Sequence, residues 1–205
     1  MRIITVSRQF GSGGREVGKR LAEYLGISYW DREIISEIAN RNSMDEGYIE
    51  KVLESDIFKS FSLTFGHTFA YAPTLDSQVA EIFAQQQKIV KELAARGDCV
   101  IVGRSADAVL TKYNPFKIFV YADMAAKIDR CRKRSDNGDS LTNREIEKKI
   151  KNIDKARAHY HDLVSDISWG SKDECNLMIN TTGIDIKSII PPLGEYAKTY
   201  FEGRK

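Results

Sequence analysis

Ile3-Ile4-Thr5-Val6-Ser7-Arg8-Gln9-Phe10-Gly11-Ser12-Gly13-Gly14-Arg15-Glu16, followed by a stretch carrying Val17, Leu21, Ala22 and Leu25, is the segment whose reading decides the fold. The apolar run Ile3, Ile4 and Val6 predicts a buried strand, and the later apolar spacing predicts a helix over 14–25. Strand, glycine-rich turn and helix is the arrangement in which backbone N–H groups and a helix N-terminus converge on a phosphate. A tight turn alone would explain the glycines. Three of them in four positions between a first strand and a helix favour phosphate binding instead. The strict pattern for such a loop is G-x-x-x-x-G-K-[ST], and this loop has no lysine where the pattern wants one. A phosphoryl donor still needs positive charge on its β and γ phosphates. Arg8, Arg15 and Lys19 are the candidates, and Arg15 is the expected one, because a guanidinium grips phosphate oxygens in a bidentate manner. Lys19, one turn further on, reads as a solvated helix residue.

The same rhythm continues outward. Apolar runs at 100–102 and 117–120 read as further buried parallel strands, 176–180 as a fourth, and Ser28-Tyr29-Trp30 as a shorter one. Helical patterns cover 14–25, 32–42, 77–96, 125–134, 143–164 and 185–200, with Gly97 as a stop and Asp31 as an N-cap. Strands alternating with helices imply a doubly wound parallel α/β sheet flanked by helices, with its ligand site at the carboxyl ends of the strands. Arg104 follows one of those strands at that end. Residues 1–205 read as a single domain, in which 44–76, with Phe58, Phe61, Phe65, Phe69 and Tyr71, is an insertion serving as a surface cap, a dimer contact or an acceptor-side lid. The polar segment 135–143 reads as the hinge of a lid spanning 130–157.

With 205 residues and a formal net charge of +2, the chain is long enough for a hydrophobic core, and its charges nearly cancel. Basic residues cluster at Arg130, Arg132, Lys133 and Arg134, and again at Lys148, Lys149, Lys151, Lys155 and Arg157. The near-neutral total and the lack of aromatic RNA motifs argue against a nucleic-acid partner. Cys99, Cys131 and Cys175 form no C-x-x-C pair, which argues against a disulfide framework or zinc site and fits a reducing compartment. No apolar run approaches membrane-spanning length, and the N-terminus reads as a strand, so the expectation is a cytoplasmic protein without a membrane partner. The long 77–96 helix could pair two copies in a homodimer.

Several segments together resemble the cytidylate kinase-like family, nucleoside monophosphate kinases of the P-loop class. Ile4 to Gly26 runs parallel to that family's opening, and Val100-Ile101-Val102-Gly103-Arg104 resembles its strand ending in Gly-Arg-Asp. Lys117-Ile118-Phe119-Val120 and the arginine-rich helix after it resemble the next strand and lid arm, and Asn180-Thr181-Thr182-Gly183 the last strand and turn. There are departures. In helix phase Arg8 stands at the first P-loop glycine, Gly14 at the lysine and Arg15 at the Ser/Thr. Ser105 replaces an aspartate, and Arg32-Glu33 replaces Ser/Thr-Gly.

The resemblance implies ATP with Mg²⁺ on Arg8 and Gly11-Ser12-Gly13-Gly14-Arg15-Glu16, and a monophosphate acceptor, CMP or dCMP, beside Asp31 and Arg104. It also implies catalytic roles for Arg15, for the lid residues Arg130 and Arg134, which share a face at i, i+4, and for Arg157 on the return from the lid. No protein ligand to the metal is assigned. Without the resemblance, Asp154 and Arg157 would read as a surface pair, and Arg132 and Lys133 point elsewhere. His67, His159 and His161 receive no role. Two other readings stay open: a non-catalytic nucleotide-binding sensor, favoured by the missing lysine, and a P-loop kinase for a different small acceptor, favoured by Ser105 and the aromatic insertion.

Overall fold

A computed structural model describes residues 1–54, 77–134 and 141–204. The first strand, β1 (Ile3–Arg8), is apolar on both faces and takes the middle of a five-stranded sheet. The other strands are β2 (Ser28–Trp30), β3 (Cys99–Val102), β4 (Phe116–Tyr121) and β5 (Leu177–Asn180). Their order is β2-β3-β1-β4-β5 and every pairing is parallel. β1 extends two residues past its apolar run, because Ser7 and Arg8 continue the ladder opposite Phe119 and Val120. That extension carries the Arg8 side chain to the carboxyl end of the sheet, between β3 and β4, where doubly wound sheets open a ligand crevice.

The helices are α1 (Gly14–Leu25), α2 (Glu33–Asn42), α3 (Glu46–Glu54), α4 (Ser77–Ala95), α5 (Ala106–Val109), α6 (Met124–Arg134), α7 (Asn143–Val164) and α8 (Ile186–Glu202). Side chains alternate across each strand, so the sheet is packed on both faces. Ile3, Cys99 and Ile101 face α2, α4 and Leu110, in a core with Ile34, Ile38, Ile82 and Ile89. Ile4, Val6, Val100, Val102 and Val120 face α1 and α8, in a core with Val17, Leu21, Ile190 and Leu193. The three central strands are buried on both faces, as their apolar runs predicted. β5, expected to be buried too, is an edge strand with Met178 and Asn180 exposed, because among the described residues no further strand or helix covers that face.

The expected helices and strands all form, with ends within a residue or two of the expected ones. The insertion is helical through α3; the remainder, 55–76 with its five named aromatics, lies outside the described residues. The same holds for 135–140 of the expected hinge, while Thr142 beside it is a helix cap. No helix among the described residues is long and apolar enough to cross a membrane.

Candidate active site

Gly13, with φ 83°, caps α1 and aims the helix N-terminus into the crevice. The turn before it is held from inside. Ser12 is fully buried; its Oγ donates to the Gln9 carbonyl at 2.8 Å and accepts from the Gly14 N–H at 3.4 Å. Thr181, after β5, donates from Oγ1 to the Ser12 carbonyl at 2.6 Å. Arg130 of α6 donates to Thr181 Oγ1 at 3.1 Å, to the Thr181 carbonyl, and to the Ser12 carbonyl at 3.5 Å. Arg130 therefore clamps the glycine loop to the β5–α8 turn.

The loop's other flank is held by α7. Asp154 accepts from the Phe10 N–H at 2.6 Å, and Arg157 donates to the Arg8 carbonyl at 3.1 Å while its guanidinium lies 5.6 Å from the Phe10 ring centre. Lys127 Nζ donates to Gln9 Oε1 at 3.2 Å and sits 3.6 Å from Asp154 Oδ2. Burial pushes the Asp154 carboxyl up, and the Phe10 N–H, Arg157 and Lys127 only partly offset it. The pair that local spacing alone would leave on the surface is a partly buried brace, because α7 packs across the loop. Lys127 went unnoticed in the sequence. Its signal was there: it precedes Arg130 by three residues and Arg134 by seven, on one helix face.

Between the loop, α6 and α7 lies a cavity of about 440 Å³. Gly11, Gly13 and Gly14 form its floor, and Arg15, Arg130, Arg134, Lys149 and Arg157 stand around it. Such a concentration of one sign in a cleft focuses the field on an anionic ligand. Arg132, expected to point elsewhere, also lines this cavity. Arg134 is half-exposed and pairs at 3.8 Å with Glu16, which also holds Arg20 at 2.8 Å. Lys19 is exposed, as expected. Cys131 is in the wall, and burial pushes its thiol up.

Asp31 does not cap α2. The capping position is Arg32, with no side-chain cap, and Asp31 is buried against two guanidiniums. Its Oδ2 is 2.5 Å from Arg15 Nε, and its Oδ1 is 3.8 Å from Arg8 Nη2. A charged pair outcompetes a helix N–H for a carboxylate. Arg15, expected on the phosphates, is tied to the residue expected beside the acceptor.

At the end of β3, Gly103, Arg104 and Ser105 have φ of 73°, 61° and 47°. Three successive left-handed residues cost strain at the two that are not glycine, and such strain collects at functional sites. The turn faces a second, smaller cavity lined by Ser7, Arg8, Arg104, Gln86, Arg157 and Trp169. Phe83 and Tyr160, stacked at 4.7 Å between ring centres, form part of its wall. Among the described residues, Arg8 and Arg157 line both cavities.

His161 is fully buried, with Nε2 at 3.2 Å from Asp107 Oδ2 and 3.6 Å from Glu174 Oε2. Among the described residues these three bring ligand-type atoms within 4.8 Å of one another. Lys117 sits 2.9 Å from Glu174 Oε1, and Asp107 and Glu174 raise the His161 pKa against the effect of burial, so the cluster forms a buried ion network with Lys117.

The cytidylate kinase-like family model matches residues 3–183 of this chain. No curated protein matches it. Among solved structures, a protein from Eubacterium ventriosum ATCC 27560 described as uncharacterized superposes with a TM-score of 0.67 at 22% identity, over 97% of this chain and 99% of the other. Shikimate kinase from Bacteroides thetaiotaomicron gives 0.59 at 15% identity, over 96% and 98%. Shikimate kinase from Acinetobacter baumannii, in complex with shikimate, gives 0.57 at 15% identity, over 98% and 94%. These likenesses establish a kinase-type P-loop fold.

Proposed function

This chain belongs to the cytidylate kinase-like family, and we propose that it transfers the γ-phosphoryl group of ATP to a nucleoside monophosphate, CMP or dCMP first among them. The observation that carries this reading is the meeting of two cavities, one over the glycine loop and one at the end of β3, with Arg8 and Arg157 lining both. The larger would take ATP, its phosphates over Gly11, Gly13 and Gly14 at the α1 N-terminus. The smaller would take the acceptor phosphate beside Arg104.

An acceptor phosphate oxygen attacks the γ-phosphorus, a new P–O bond forms, and the bond to the bridging β,γ oxygen breaks, releasing ADP. The acceptor phosphate is already ionised, so little proton transfer is required. Positioning and charge stabilisation carry the rate, and arginines on two sides of the transferred group supply both. Mg²⁺ would neutralise charge on the β and γ phosphates. Asp31 fits it: its Oδ1 is a buried carboxylate oxygen with no hydrogen bond, of the hard type that Mg²⁺ takes together with phosphates.

A second reading keeps the donor site and changes the acceptor, and the shikimate kinases among the fold relatives favour it. The test is an ADP-release assay with ATP–Mg²⁺ against CMP, dCMP, UMP, AMP, GMP and shikimate. Turnover above background with CMP or dCMP is expected. Turnover with shikimate alone would replace the acceptor assignment, and ATP binding without turnover on any acceptor would favour a sensor.

A further inference from the structure

The loop lacks the lysine that the strict pattern places at the start of the helix. The packing around that position says where the charge went. A Cβ on Gly14 would lie 2.4 Å from Arg8 Cβ and 2.9 Å from Arg8 Cγ, with Val120 Cβ at 3.2 Å. No side chain fits at Gly14 while Arg8 is present, because the arginine stem fills the space that a lysine stem would need. The pattern has glycine where this chain has Arg8, and lysine where this chain has Gly14. The two positions have exchanged residues across one contact.

We propose that Arg8, through this exchange with Gly14, supplies the charge on the transferred phosphoryl group that the strict loop takes from its lysine. The guanidinium passes directly over Gly103, where a Cβ would fall 1.5 Å from Arg8 Nη1. It is steered there by Asp31, and its side chain is only 11% exposed. Its path runs from the wall of the larger cavity to the wall of the smaller, the line along which the phosphoryl group must travel. The other cations nearby are placed differently. Arg157, which also lines both cavities, is engaged with the Arg8 carbonyl and the Phe10 ring. Arg15 is 43% exposed with Nε held by Asp31, Arg130 is bound to Thr181 and Ser12, and Arg134 is 53% exposed beside Glu16.

What the charge acts on rests on the ATP-binding reading above, whereas the exchange itself is a statement about packing. The experiment separates them. Dissociation constants for ATP–Mg²⁺ and ADP–Mg²⁺ are measured for the wild type, R8K, R8Q and R15Q, with no acceptor present. R8Q is expected to lose ATP affinity by about 10- to 100-fold, the range for a charge-assisted hydrogen bond, with ADP much less affected. R8K is expected to keep part of the preference for ATP, and R15Q to weaken both nucleotides alike. In parallel, melting temperatures are compared for G14K and the double variant R8G/G14K. G14K should be strongly destabilised, and R8G/G14K should recover stability and the ATP preference, since it restores the first glycine and the lysine of the strict pattern while Arg15 stays at the Ser/Thr position.

An unchanged ATP preference in R8Q, with loss in R15Q, would assign the charge to Arg15 and overturn the proposal. G14K as stable as the wild type would overturn the exchange. Loss of ATP affinity in R8Q without turnover on any monophosphate would sink the acceptor assignment and leave Arg8 in place. If the wild type bound no ATP, the phosphate role would fall and the melting temperatures would decide the exchange alone.

Discussion

Gly103 shows how much can hang on one missing methyl group. Its φ of 73° is one that side chains rarely adopt, and the space a Cβ would need is already held by the Arg8 guanidinium. Gly103→Ala is therefore expected to destabilise the fold by about 1–3 kcal/mol through backbone strain and displacement of Arg8. Urea unfolding measures the first effect, and ATP affinity, which should fall with it, measures the second. A Gly103→Ala protein with wild-type stability and ATP affinity would mean that Arg8 does not occupy this path. Arg104 was legible as a site candidate because it follows a buried strand at its carboxyl end. The left-handed turn that aims it was not, since Arg104 and Ser105 are not residues that announce positive φ. Asp31 was legible as an acidic residue before a helix, and capping was the local explanation. Its true partners, Arg8 and Arg15, lie 23 and 16 positions earlier in the chain, and no local rule reaches them.

Among the elements, α7 does the most to assemble the loop. It begins at Thr142 with a reciprocal cap: the Thr142 Oγ1 accepts from the Glu145 N–H, and the Glu145 carboxylate accepts from the Thr142 N–H at 2.8 Å. The helix then presents Ile146, Ile150 and Ile153 inward, while Asp154, next to Ile153, and Arg157, a turn further on, reach the loop. Thr142→Ala should cost about 1 kcal/mol of stability, the usual value of an N-cap, as a lower midpoint in urea. The extent of α7 was legible from apolar spacing alone, because a 3.6-residue period needs no partner to be read. Which face would meet the glycine loop depended on how α6 and α7 pack, so the brace formed by Asp154 and Lys127 appears only in three dimensions.

At the scale of the whole molecule, one buried network ties distant parts together. His161 on α7 faces Asp107 on α5 and Glu174 before β5, with Asp162 4.0 Å from its Nδ1 and Lys117 of β4 on the far oxygen of Glu174. Cys175 lies alongside, its thiol pushed up to about 11 by burial and by Asp107 and Glu174. Burial opposes a charge on His161, but the hydrogen bond and charge of Asp107, with Glu174 and Asp162, outweigh it and raise its pKa. Burial likewise opposes the charge on Asp107, and His161 more than compensates, lowering that pKa. The stabilisation from His161 is thus fully present below its unfolded value of about 6.5 and is lost as pH rises through the raised folded value. That from Asp107 is present above its unfolded value of about 3.9 and is lost as pH falls through its folded one. Stability measured by chemical unfolding should therefore decline as pH rises above the unfolded value of about 6.5. His161→Gln should remove that decline while lowering stability by about 3 kcal/mol, the order expected for breaking a buried ion pair. A His161→Gln protein that kept the same alkaline slope would show that another group titrates there.

The sequence by itself determined the parallel sheet, its helices and the glycine turn at the end of β1. These follow from hydrophobic period and from the chemistry of glycine, which act over a few residues at a time. It also determined that a lysine was missing. Only the tertiary structure decided which side chains share the crevice: Arg15 with Asp31, Arg130 with Thr181, Asp154 with Phe10, and Arg8 in the space that Gly14 leaves. Those are contacts between elements far apart in the chain. Packing, burial and charge pairing select them together, and none of the three can be read from a residue's neighbours in sequence.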